Sequence, residues 1–266
     1  MHRIKTFAAD HPAIFSLIVT LIYIIMLIIS AILGSIWPGD ETYGQPGGIA
    51  GRLLSIAILL LVVSGLGWLR PAGFASAGGW GMWLVVLLSL AYTIAASSYV
   101  MTGDFDGILN APLTILVILF ILAAAFMEQV VFRGVILHAL IRAWGDTTPG
   151  VLLSVLLSSL LFSSIHLLDF LGGRSPTDVL LQSLEVFFLG IFLGTLVLSS
   201  KSIYPATIFH GILNLSAYVI IAGTGSEPSA SVWLLLSLVM VPLAVYSIYL
   251  LRGVSMQSIV PENASL

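Results

Sequence analysis

The chain has 266 residues, of which 59% are hydrophobic and only 8% charged, with a formal net charge of −3. Soluble domains carry about 25% charged residues, so this deficit excludes a water-exposed globule and implies an all-α, polytopic transmembrane helical bundle. No basic run points to nucleic acid, and the absence of cysteine excludes disulfides and thiol catalysis.

Arg3 and Lys5 precede a first apolar run over 13–37. It exceeds the roughly 7–15-residue core of a signal peptide and reads as a retained span. A spanning helix needs about 20 mostly apolar residues. Segments 53–69, 80–100, 112–141, 150–170, 178–200, 203–222 and 231–251 approach that length, which gives about eight spans. Turn and charge signals such as PGDETYGQPGG, RPAGFASAGG and DFLGGRSPTD separate them. The segment 112–141 is long for one span and is expected to tilt or to project into the cytoplasm. The expected organisation is three spans in 1–111, four in 112–222, and one span with a short tail in 223–266.

Basic residues collect on the cytoplasmic side of a membrane. An inside N-terminus puts Arg3, Lys5, Arg70, Arg142, Lys201 and Arg252 inside and only Arg52 and Arg174 outside. Both termini are therefore expected in the cytoplasm, in a cell membrane. The outer loops then collect Asp40, Glu41, Asp104, Asp106, Asp169, Asp178 and Glu227. Asn263-Ala264-Ser265 matches a glycosylation acceptor but falls inside in this topology, so it is discounted.

Ionisable side chains within spans are costly and mark sites by default. Glu128, Gln129 and Arg133 lie in FILAAAFMEQVVFRGVIL, His166 in LLSSLLFSSIHLL, and His210 with Asn214 in IYPATIFHGILNLSAYVII. On a helix, residues four apart share a face. His210 thus pairs with Asn214, Phe162 with His166, and Gln129 with Arg133, while Glu128 faces inward about 100° around the helix. On a regular helix, however, His166 falls in the outer half of its span, at a different depth from Glu128 and His210.

A carboxylate and an imidazole can share a water and remove its proton. A second histidine and an asparagine can donate to a developing oxyanion. Together these are the parts of a peptide-bond hydrolase. Glu128, His166 and His210 also match a catalytic zinc set with an open position, although no H-E-x-x-H pair is present. On the chemistry alone, metal-free activation of water and activation by a divalent ion such as zinc stand level. Carboxylate and histidine chains also serve proton relays in transporters, but no matching Gly/Pro-broken halves are visible.

The residues resemble the CPBP intramembrane proteases, the CAAX-protease and bacteriocin-processing (Abi) family that includes type II CAAX prenyl endopeptidases. That family's pattern is E-E-x-x-x-R, then F-x-x-x-H, then H-x-x-x-N/D on successive helices. The matches are Glu128 to Arg133, Phe162 to His166, and His210 to Asn214, and the similarity spans roughly 112–222. The resemblance implies an intramembrane endopeptidase acting on membrane-associated proteins or peptides. Glu128 and His166 would activate water, His210 and Asn214 would form the oxyanion hole, and Arg133 would orient the site. The family has been called metalloprotease, although related members look metal-independent. The second glutamate of the pattern is Gln129 here, which leaves Arg133 in need of another anion, with Glu128 or Glu185 the candidates. This change also keeps open a non-proteolytic scaffold or immunity protein of the same fold.

Other polar or small residues have plainer readings. Gly190 and Gly194 read as a small-xxx-small helix contact, and the serines of 154–164 as packing. His138 is expected at the interface, and the six tryptophans near span ends as an aromatic belt. Oligomeric state is not legible.

Overall fold

The computed structural model describes residues 1–37, 46–76, 79–102, 115–224 and 228–252. Asp40, Glu41, Asp104, Asp106, Glu227 and Asn263 to Ser265 lie outside the described residues. A short helix α1 (His2–Asp10) is followed by α2 (Pro12–Ile36), α3 (Pro46–Gly65) and α4 (Trp80–Thr102). Then come α5 (Ile115–Trp144), α6 (Thr148–Gly172), α7 (Pro176–Ser200), α8 (Tyr204–Thr224) and α9 (Ala230–Arg252). There is no strand among the described residues. Each of the eight expected spans overlaps one of the helices α2 to α9, with α3 displaced toward the N-terminus of the expected 53–69. Six of these are long and apolar enough to cross a bilayer, and Trp80–Ala96 is a shorter apolar stretch.

Such a bundle is what a hydrocarbon solvent permits, because helices satisfy their own backbone polar groups. Leu17, Leu21, Ile25, Ile28 and Ile32 form an exposed apolar column on α2. It belongs to the lipid-facing surface. Phe132, Phe162, Phe192 and Phe209 fill the centre of the bundle, fully buried.

Close helix approach depends on small residues. A side-chain carbon on Gly47 would stand 2.0 Å from the Leu33 carbonyl oxygen, and one on Gly51 would stand 2.8 Å from Ser30 Cα. The PGG that reads as a turn in the sequence is therefore the first turn of α3, pressed against α2. Across α6 and α7, a carbon on Gly190 would stand 2.9 Å from Ser159 Cβ, and one on Gly194 would stand 3.4 Å from Val155 Cγ1.

Two expected regular helices are irregular where the polar residues sit. Within α5, an α-helix over Ile115–Gln129 gives way to a π-helix over Val130–Leu137, then to α-helix again over His138–Trp144. The wider turn is supported from outside, since Ser158 Oγ donates to the Phe132 carbonyl at 2.8 Å. Within α6, the helix is α over Thr148–Ser164 and 3₁₀ over Ile165–Gly172. Helical irregularities of this kind recur at functional sites.

The tryptophans divide. Trp37 and Trp80 are exposed, but Trp68 and Trp233 are buried. Trp68 packs edge-on against His138, with ring centres 5.0 Å apart. His138 is thus part of a packed cluster.

Candidate active site

Glu128 and Gln129 are the last α-helical residues before the π segment of α5. The change in winding separates the two neighbours and Arg133. Glu128 faces a cavity of about 440 Å³, whereas Gln129 and Arg133 lie behind it, 0% and 1% exposed. Phe162, His166, Glu185, His210 and Asn214 line the same cavity as Glu128. The wall is otherwise mainly apolar, with Leu189, Leu213 and Met240 among its residues.

Glu128 is held on both sides. Tyr23 Oη donates to its Oε1 at 3.1 Å, and its Oε2 lies 3.5 Å from His210 Nε2. Its side chain remains 14% exposed, toward the cavity. Gln129 Nε2 lies 3.1 Å from His210 Nδ1, and Asn214 Nδ2 lies 3.1 Å from His210 Nε2. An imidazole with one proton offers one donor and one acceptor, so the two amides must present opposite atoms to it. The acceptor-only carboxylate of Glu128 on the Nε2 side favours a proton there. Gln129 then donates to Nδ1, and an Asn214 amide rotated to bring Oδ1 to Nε2–H would free its N–H groups for another acceptor.

Phe162 ties these groups together. Its ring meets His166 and His210 edge-on, with centres 6.0 and 5.6 Å apart. The Arg133 guanidinium carbon stands 4.6 Å from its centre. Arg133 Nη2 also donates to the Gly190 carbonyl at 2.9 Å.

Although Gln129 and Arg133 stand four residues apart, no hydrogen bond joins them, and the Gln129 carboxamide faces His210 instead. Arg133 makes no salt bridge among the described residues. Its hydrogen bond goes to a carbonyl and its face to a ring, while Nε and Nη1 are buried without a partner. Glu185 lines the cavity and has no hydrogen bond or salt bridge to Arg133. As arranged, Glu128, His166 and His210 do not form a three-ligand set. Among the described residues, no group of three histidine, cysteine or acidic side chains could hold a metal ion.

Two residues of the site escape the sequence reading. Tyr23 lies within an apolar span, where a single phenol carries no pattern. Arg52, which reads as an outer-loop charge, sits in α3 and lines the cavity, its guanidinium carbon 4.1 Å from the centre of the Phe120 ring. Leu27, Ile94 and Trp233 also line it, so α2, α4 and α9 contribute to the wall.

No curated protein and no solved structure matches the chain. A protein-family model, described as type II CAAX prenyl endopeptidase Rce1-like, matches residues 110–216. That segment contains Glu128, Gln129, Arg133, Phe162, His166, Glu185, His210 and Asn214. Residues 110–216 are therefore an Rce1-like segment, which supports a likeness to the CAAX-type (CPBP) membrane proteases.

Proposed function

We propose that the chain is an intramembrane endopeptidase that cleaves membrane-associated proteins or peptides with a water activated by Glu128 and His166. The observation that carries this reading is the cavity that gathers Glu128, His166, His210 and Asn214 within a bundle of apolar helices. A general base must stand within reach of the water it deprotonates, directly or through one neighbour. Glu128 meets that need with one oxygen fixed by Tyr23 and a face open to the cavity. In the proposed step, the carboxylate takes a proton from water and the hydroxide adds to the scissile carbonyl carbon. The carbonyl electron pair moves to oxygen, where His210 Nε2–H and the Asn214 amide donate to it. Such donors stabilise an oxyanion strongly in a site that excludes water. Collapse restores the carbonyl, breaks the C–N bond and delivers the proton from Glu128 to the leaving amine. No step is routed through a metal, because the donor set does not converge on one point.

In this reading Gln129, Arg133 and Phe162 position the site from behind. Residues 112–222 carry the chemistry, and both termini face the cytoplasm. The test is cleavage of a membrane-peptide library by the purified chain in proteoliposomes. Glu128→Gln, His166→Ala and His210→Ala are each expected to abolish cleavage while the protein remains monodisperse in detergent. Undiminished function of the Glu128→Gln protein would instead favour a scaffold role.

A further inference from the structure

The two ends of the bundle differ in charge, and the cavity belongs to one of them. Arg3, Lys5, Arg70, Arg142 and Lys201 lie at one end. Contacts join their segments there. Trp68 packs on His138, Ile203 N donates to the Gly73 carbonyl at 3.2 Å, and Tyr204 Oη donates to the Phe74 carbonyl at 2.9 Å. Arg3, Arg70, Arg142 and Lys201 are exposed, and no carboxylate pairs with them among the described residues. The last helix, α9, also finishes at Arg252.

At the other end α3, α5, α7 and α9 begin, and α6 and α8 finish. Its basic residues are Arg52 and Arg174, and both are engaged. Arg174 Nη1 donates to Asp169 at 2.8 Å and to Gln182, and its guanidinium lies over Trp233. Arg52 lies over Phe120. The cavity runs from Glu128, Phe162 and His210 in the bundle interior to Asp169, Ile221, Pro228 and Trp233 at this end. The mouth of the site and the free basic side chains thus occupy opposite ends of the molecule.

Basic residues near span ends set orientation, by retention on the cytoplasmic side. We infer that the cavity opens on the non-cytoplasmic face of the membrane, and that its substrate is a polypeptide segment presented from that face. Such a segment is the exposed portion of a membrane-anchored or translocated chain. The word substrate rests on the protease reading above; the direction of the mouth rests on charge and cavity position alone.

The chain has no cysteine, so single thiols can be introduced without a background. Ser216 lines the cavity, Ser229 is exposed at the cavity end, and Thr148 is exposed at the basic end. Ser216→Cys, Ser229→Cys and Thr148→Cys, each in the full chain in intact cells, are probed with a membrane-impermeant maleimide. The expected result is labelling of the positions 216 and 229 from outside, and of position 148 only after permeabilisation. Gln182→Cys gives a second cavity position should Ser216→Cys not reach the membrane. Labelling of position 148 from outside, or of position 229 only after permeabilisation, would overturn the orientation and make a cytoplasmic tail the substrate. Labelling of position 229 from outside, with positions 216 and 182 unreactive from that side, would overturn the assignment of the mouth. Loss of cleavage in Glu128→Gln leaves all of these labelling patterns unchanged, so failure of the protease reading is told apart from failure of this one.

Discussion

Tyr23 on the first spanning helix donates to Glu128 Oε1 across 3.1 Å, joining residues 105 positions apart in the chain. The phenol ring is fully buried and packs edge-on against Phe132, with centres 5.4 Å apart. The bond therefore fixes one carboxylate oxygen and leaves the other toward His210. A hydrogen bond to a charged group is worth about 1.5–3 kcal/mol, which corresponds to roughly ten- to hundredfold in rate if it is used in the transition state. Tyr23→Phe keeps the ring and loses the donor. Its cleavage rate in proteoliposomes is expected to fall by about that factor, with little change in melting temperature in detergent. Equal rates would mean that the phenol does not orient the base.

Gln129 bears on the ring proton of His210. Its carboxamide nitrogen faces Nδ1 at 3.1 Å, which leaves the proton on Nε2, beside Glu128 and Asn214. A carboxylate can only accept. Gln129→Glu is therefore expected to draw the ring proton to Nδ1, whereas Gln129→Leu leaves Nδ1 without a partner and costs about 1–3 kcal/mol of stability. Nitrogen-15 NMR of histidine-labelled protein reads the tautomer directly. A His210 spectrum identical in the parent and the Glu variant would show that Gln129 does not set it.

The crossing of α6 on α7 carries both packing and the support of Arg133. Gly190 meets Ser159 with no room for a side chain and accepts the Arg133 hydrogen bond on its carbonyl. Overpacking of this kind costs about 1–3 kcal/mol. Gly190→Ala is expected to lower the melting temperature in detergent and to lower cleavage with it. Ser159→Gly removes the carbon that a new methyl would strike, so the double variant should recover part of the loss. No recovery would place the strain elsewhere.

The spans were legible because a bilayer allows few other uses for twenty apolar residues in a row. Glu128, His166, His210 and Asn214 were legible because polar groups stand out against that background, and one cavity gathers all four. What the sequence could not reveal depends on tertiary compensation. The π turn after Gln129 is supported by a serine 26 residues away, so no local pattern announces it. Gly47 and Gly51 have the four-residue spacing of a close helix contact, but the proline beside them makes the same letters read as a turn. Arg52 was visible as a charge, yet its place at the cavity follows only from α3 beginning seven residues earlier than hydropathy suggests.

Arg133 and Phe162 allow the electrostatic and steric parts of the site to be separated. The guanidinium gives one hydrogen bond to Gly190, and its carbon stands over the Phe162 ring, 4.6 Å from the centre. A desolvated cation–π contact is worth about 2 kcal/mol, and a lysine cannot reproduce a planar fork that stacks and donates together. Arg133→Lys is therefore expected to lose both stability and cleavage, despite its retained charge. Phe162→Leu makes a different change. It leaves the Arg133 bond to Gly190 in place, but removes the ring against which both His166 and His210 rest. Because a small displacement of reacting groups costs far more in rate than in folding, this variant is expected to lose cleavage by about a hundredfold with a much smaller effect on melting. Parallel measurement of melting and cleavage for the two proteins decides the matter. If Phe162→Leu and Arg133→Lys lose stability and rate in the same proportion, Phe162 acts only as core and does not orient the two histidines.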